Sequence, residues 1–140
     1  MSFAQPNKLQ GPEVTKAEEV VKPSVCELIA LARRIGEVRN ARKEILPAGQ
    51  FGEPGWDMML ALYLASIRGE FLTVTNVCDA SDAPPTTALR WLDRLLELKM
   101  VRRRKHPTDA RMVFIELEPH SSELVESFLR RAWSTFYPPV

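Results

Sequence analysis

Two cysteines, two histidines and six glycines in 140 residues leave little material for the commoner metal and enzyme chemistries. Cys26 and Cys78 are far apart and lack metal-type spacing, so they read as free thiols of a reducing compartment. Each is expected to act as a small buried apolar side chain. Neither His106 nor His120 has a nucleophile or a ligand set near it in sequence, and no glycine-rich phosphate loop is present. Catalysis is therefore not expected, and no cofactor or metal is called for. No apolar run approaches the ~20 residues of a membrane span, and the first residues lack the apolar stretch of a secretion signal. The expectation is a cytoplasmic chain with no membrane partner. Net charge is also small, +1, so bulk charge does not announce a nucleic-acid partner.

What is present is an ordinary globular balance, 45% hydrophobic and 26% charged, at the size of one domain. Residues 1–23 are polar and carry Pro6, Gly11, Pro12 and Pro23, which predicts a flexible N-terminal tail before a domain spanning 24–140. From Ser24, a plausible N-cap, the apolar residues Val25, Leu28, Ile29, Ala32, Ile35 and Val38 recur at helical spacing. This helix is expected to end before Pro47. A loop from Pro47 to Gly55 precedes a second helix, about Trp56–Ile67, apolar nearly all round and so central to the core. Phe71 and Leu72 suit a very short strand. Thr73 caps a short third helix reaching Ala80, and Ser81–Pro84 forms a tight polar turn. A fourth helix, Pro85–Leu98, carries Ala88, Trp91, Leu92 and Leu95 on one stripe. Val101–Lys105 and Met112–Leu117 flank a turn and read as a β-hairpin. A last helix runs from Pro119 to about Trp133, with Leu124, Val125, Phe128, Leu129 and Ala132 on one side.

Helix, short helix, tight turn, helix, hairpin, helix is the order of a winged helix-turn-helix: mainly α with a small β-hairpin wing, an α+β fold. A helix about 10–12 Å across fits a major groove about 12 Å wide. The charges agree. Thr86–Arg111 holds eight basic and three acidic residues, +5 against +1 for the whole chain. Positive charge thus concentrates on the fourth helix and hairpin, as a phosphate-binding face requires.

The segment Thr73–Pro119, TVTNVCDASDAPPTTALRWLDRLLELKMVRRRKHPTDARMVFIELEP, resembles the multiple-antibiotic-resistance regulator (MarR) family of winged-helix repressors. The likeness extends from Gly55 to about Trp133. Its most specific part is Asp109-Ala110-Arg111, which matches the family's D-x-R wing signature. The resemblance implies a homodimeric, sequence-specific regulator of transcription on double-stranded DNA. It places the recognition helix 85–98 in the major groove and the wing 101–117 at the minor groove. Arg111 would enter the minor groove, Asp109 would orient basic side chains near the wing base, and Thr86, Thr87, Arg90 and Arg94 match the exposed recognition face. Arg102, Arg104 and Lys105 on the hairpin are expected to take phosphates, and His106 to meet phosphate or solvent. Lys99 stands where the family usually has glycine, and Asp82-Ala83 replaces the usual glycine of the helix-turn-helix turn.

A different class of function stays open at this level: a winged-helix protein-interaction or adaptor module that uses the same surface without specific DNA binding. Salt discriminates the two, because multi-phosphate binding weakens steeply as salt rises. The N- and C-terminal apolar stripes exceed what one small winged helix needs, which points to flanking dimerisation helices and a second copy of the chain. A small-molecule effector is possible in such a protein, its identity unknown from the sequence. Trp56, Trp91 and Trp133 are expected in core packing. Leu89, beside Arg90, is expected either to meet a thymine methyl or to pack inward.

Overall fold

The computed structural model describes residues 22–45 and 53–138. The tail expected over 1–23 and the loop expected over 47–55 lie mostly outside them. The described chain forms α1 (Val25–Ile45), α2 (Pro54–Arg68), β1 (Leu72–Thr73), α3 (Val74–Ala80), α4 (Pro85–Glu97), β2 (Val101–Lys105), β3 (Val113–Leu117) and α5 (Pro119–Phe136). The strands form one antiparallel sheet in the order β1-β3-β2.

Helix α1 starts in a reciprocal cap. The Glu27 amide donates to Ser24 Oγ (3.2 Å), and the Ser24 amide donates to the Glu27 carboxylate (3.1 Å). Its inward face is Leu28, Leu31 and Ala32, with Ile35 half-buried behind them. Val25 and Val38, expected on that face, are instead 50% and 70% exposed. At 100° per residue they flank the Leu28–Ala32–Ile35 line on either side. The next position on that line is Arg39, a buried cation. Its Nε donates to Asp57 at 2.6 Å and its Nη1 to Glu53 at 2.9 Å, pinning α1 to the first turn of α2. Burial alone would lower the Arg39 pKa, but the hydrogen bond and charge of Asp57, joined by Glu53, outweigh it and push it up.

Helix α2 is the hub, touching every other helix and β3. Met58, Met59, Leu60, Leu62, Tyr63 and Ala65 are all buried, as an all-round apolar helix demands. The Tyr63 hydroxyl reaches Glu126 on α5 at 3.2 Å. Burial, and then the Glu126 charge, push the Tyr63 phenol up to about 12. Gly69 ends α2 at φ 71°, a left-handed cap that glycine adopts without strain. At the other end, a Cβ on Gly55 would lie 3.0 Å from the Trp91 ring, so this glycine lets α4 approach.

Helix α5 buries Val125 and Leu129 and leaves Leu124 and Phe128 about half exposed. It runs three residues past the expected Trp133. The buried Ser121 hydroxyl donates to the Met100 carbonyl (2.6 Å), fixing α5 to the chain entering β2. Of the tryptophans, Trp56 packs edge-on against Phe128 and Trp133 lies against Tyr137, both half-buried, whereas Trp91 is 41% exposed beside Gly55. Both cysteines are free thiols. Cys78 is half-buried. Cys26, expected inside, is exposed, because two residues before Leu28 it falls on the opposite face of α1.

Candidate nucleic-acid interface

Helices α3 and α4 and the turn between them are held by short-range polar chemistry. At the start of α3, the Thr73 hydroxyl accepts from the Asn76 amide (3.2 Å), and the Asn76 side chain accepts from the Thr73 amide (3.1 Å). Buried Ser81 closes the far end: its hydroxyl donates to the Cys78 carbonyl (2.6 Å) and accepts from the Ala83 amide (3.2 Å). Asp82 then turns the chain at φ 55°, a left-handed geometry that aspartate tolerates better than most residues. Cys78 lies under this corner, and burial, then the charges of Asp79 and Asp93, push its thiol pKa up.

Helix α4 begins at Pro85, which has no N–H, and has no side-chain cap, so the Thr86 and Thr87 amides of its first turn are claimed by no cap. Ala88, Leu92 and Leu95 are buried and fix the helix on α2 and α3. The opposite face carries Thr86, Arg90 and Arg94, all exposed, with Thr87 half-buried beside them. Arg94 stands 3.8 Å from Glu97, an exposed pair of little energetic weight. Leu89 is 48% exposed and does not pack inward. The helix closes through Lys99 at φ 56°, the position where glycine is favoured, and Met100 donates back to Leu95 (2.9 Å).

In the wing, β2 and β3 pair from Val101 opposite Leu117 to Lys105 opposite Val113. The turn is organised by His106. Its Nδ1 accepts from the amides of Thr108 (3.1 Å) and Asp109 (2.9 Å), and its ring lies against Phe114. His106 is thus a half-buried turn former, a role added to the phosphate or solvent contact expected from the sequence. Asp109 Oδ1 accepts from the Arg111 amide (3.0 Å) and stands 3.5 Å from its Nε. That carboxylate orients Arg111, whose side chain is 93% exposed at the hairpin tip.

Arg102 and Arg104 are not free cations. Glu116 takes Arg102 Nε at 2.7 Å and Arg104 Nη1 at 3.4 Å, Glu118 lies 3.8 Å from Arg102, and the Arg104 guanidinium sits 5.0 Å over the Phe71 ring. The Glu116 hydrogen bond and charge push the Arg102 pKa up. Arg103, left out of the expected site, is exposed on the other face of β2. The period-two alternation of a strand would have found it: Val101 is buried, so Arg103 and Lys105 share its face and Arg102 and Arg104 do not. Among the described residues no group of three or more histidine, cysteine or carboxylate side chains could hold a metal, and no helix is long and apolar enough to cross a membrane.

This arrangement defines a winged helix-turn-helix. The chain is similar in fold to S. aureus MepR in its complex with DNA, with a TM-score of 0.52 and 20% identity over 75% of this chain and 78% of that one. It is also similar to S. aureus MepR in a DNA-binding conformation, with a TM-score of 0.50 and 16% identity over 76% of each chain. The fold expected from the MarR resemblance is therefore the fold observed. No protein-family model and no curated protein matches the chain.

Proposed function

We propose that this chain is a MarR-like regulator of transcription that binds double-stranded DNA as a homodimer, with α4 in the major groove and the wing at the minor groove. One observation carries the reading. An uncapped helix start with Thr86, Thr87, Arg90 and Arg94 on its outer face belongs to the helix that leads into and packs against a hairpin whose exposed tip arginine is bonded by its own aspartate. The free amides of a helix N-terminus suit phosphate, arginines near that terminus suit guanine edges, and an extended tip arginine suits a narrow minor groove. Lys105 adds phosphate attraction, and Leu89 offers apolar contact to a thymine methyl. The S. aureus MepR–DNA complex supports the reading by fold.

The homodimer rests on α1 and α5, which pack on each other and leave Val25, Val38, Leu124, Phe128 and Phe136 exposed. A two-fold mate covering them would set two reading helices about 34–36 Å apart, one turn of DNA. The chain acts in the cytoplasm and performs no catalysis. The test is selection of genomic fragments by purified protein, with light scattering on the same sample. Enrichment of a palindromic motif by a dimer is the expected result. A monomer that enriches no motif, and whose retention of DNA is indifferent to salt, would favour the protein-interaction alternative.

A further inference from the structure

The cations of β2 are divided between two faces of the sheet. Arg103 is paired in register with Ile115, and Val101 with Leu117. Val101, Ile115 and Leu117 are buried, so their face is the one turned to the helices. Arg103 and Lys105 continue that face outward past the core, both exposed. Helices α2, α3 and α5 pack against β3, and α4 against β2. Arg103 and Lys105 therefore project on the side of the sheet that carries the helix-turn-helix, and among the described residues neither has an ion-pair partner.

On the reverse face the cations are paired. Arg102 is in register with Glu116 and Arg104 with Phe114. Glu116 binds both guanidiniums, and its side chain is only 24% exposed, so water screens these pairs less than it screens the more exposed Arg94–Glu97 pair. Phe71 stacks on Phe114 and lies beneath Arg104, which holds that arginine flat on the sheet. Glu116 engages only Nε of Arg102 and Nη1 of Arg104, so a phosphate that recruited either arginine would compete with Glu116 for its charge and would have to turn the side chain away from the outer face.

Resting on the DNA-binding reading above, we propose that Glu116 is a positioning residue that partitions the wing's cations. It retains Arg102 and Arg104 on the outer face and leaves Arg103 and Lys105 as the phosphate contacts of the hairpin. Removing its charge frees two long side chains on an edge strand, from which they can turn toward DNA.

The test is the salt dependence of binding by the full chain to a random-sequence duplex, across about 50–200 mM salt, for wild type, Arg103→Ala, Arg102→Ala and Glu116→Gln. Each phosphate contact contributes about 0.9 to the slope of log affinity against log salt. Arg103→Ala is expected to flatten the slope by about one unit, so that its affinity falls roughly threefold to fourfold less across that range than that of wild type. Arg102→Ala is expected to keep the wild-type slope, and Glu116→Gln to steepen it by about one to two units. A merely structural role for Glu116 would lower affinity at every salt without changing the slope. The proposal is overturned if Arg102→Ala flattens the slope as much as Arg103→Ala, or if Glu116→Gln keeps the wild-type slope. Wild-type protein that binds no duplex at any salt would instead overturn the DNA-binding reading itself, and this assignment with it.

Discussion

Replacing Asp57 by alanine is expected to cost more stability than any surface change on this protein. Asp57 and Arg39 are each only 8% exposed, with 2.6 Å between Nε and Oδ1. Deleting one partner of a buried pair costs about 3–5 kcal/mol, because the survivor stays desolvated without its counter-charge. Here Glu53 remains 2.9 Å from Arg39, but its side chain is 62% exposed and screened by water. The loss should therefore fall at or just below the lower end of that range, about 2–3 kcal/mol. At about 4 °C per kcal/mol for a domain of this size, the midpoint of thermal unfolding should drop by roughly 8–12 °C. Urea titration followed by circular dichroism gives the free energy directly. The double replacement Arg39→Met with Asp57→Ala should recover much of the loss, since an apolar stem in place of a buried pair is often neutral or better. If Asp57→Ala lies within about 0.5 kcal/mol of wild type, or the double variant is no better than the single, then the ion pair is not what fastens α1 to α2.

Three further outcomes are expected. Arg111→Ala should weaken binding to duplexes with A·T-rich flanks more than to those with G·C-rich flanks, because a narrow minor groove concentrates negative potential; equal binding by wild type and variant on both flank types would remove the wing tip from the interface. In native protein at neutral pH, mass-spectrometric alkylation kinetics should find Cys26 modified well before Cys78, whose thiol is half-buried and whose pKa is raised; the reverse order would contradict the burial assigned to each. Tyr63 makes a pH-dependent contribution: its folded pKa of about 12 exceeds the ordinary value of 10, so the stability it gives is full below pH 10 and is lost as pH rises toward 12. Tyr63→Phe should therefore lose less stability than wild type between pH 10 and 11, as read by urea unfolding at each pH, and identical pH profiles would refute the cause assigned.

Most of the helix order was legible because its signals are local. Ser24 and Thr73 carry their capping partners three residues on, and the Ala88–Leu92–Leu95 stripe needs only its own helix to be recognised. What escaped depended on partners distant in sequence. Arg39 lies on the inward line of α1, yet a charge there reads as solvent-facing until Asp57, 18 residues on, is brought beside it. Val25 and Val38 matched helical spacing but flank the true line, and spacing alone does not say which of two overlapping stripes finds a core. The hairpin could be read, but its register could not. Hence Arg102 and Arg104 looked like free cations, while Glu116, 14 residues beyond Arg102, holds both. The part His106 plays in the turn was not legible for a related reason: it depends on backbone amides that no residue pattern displays.

Whether α4 reads DNA is decided by comparing Arg90→Ala with wild type on a selected site and on random duplex. Phosphate contacts position a protein without regard to sequence, whereas base contacts specify it. Arg90→Ala is expected to lose roughly 1–3 kcal/mol on the selected site and far less on random DNA. A fall by the same factor on both duplexes, or no change on either, would contradict it.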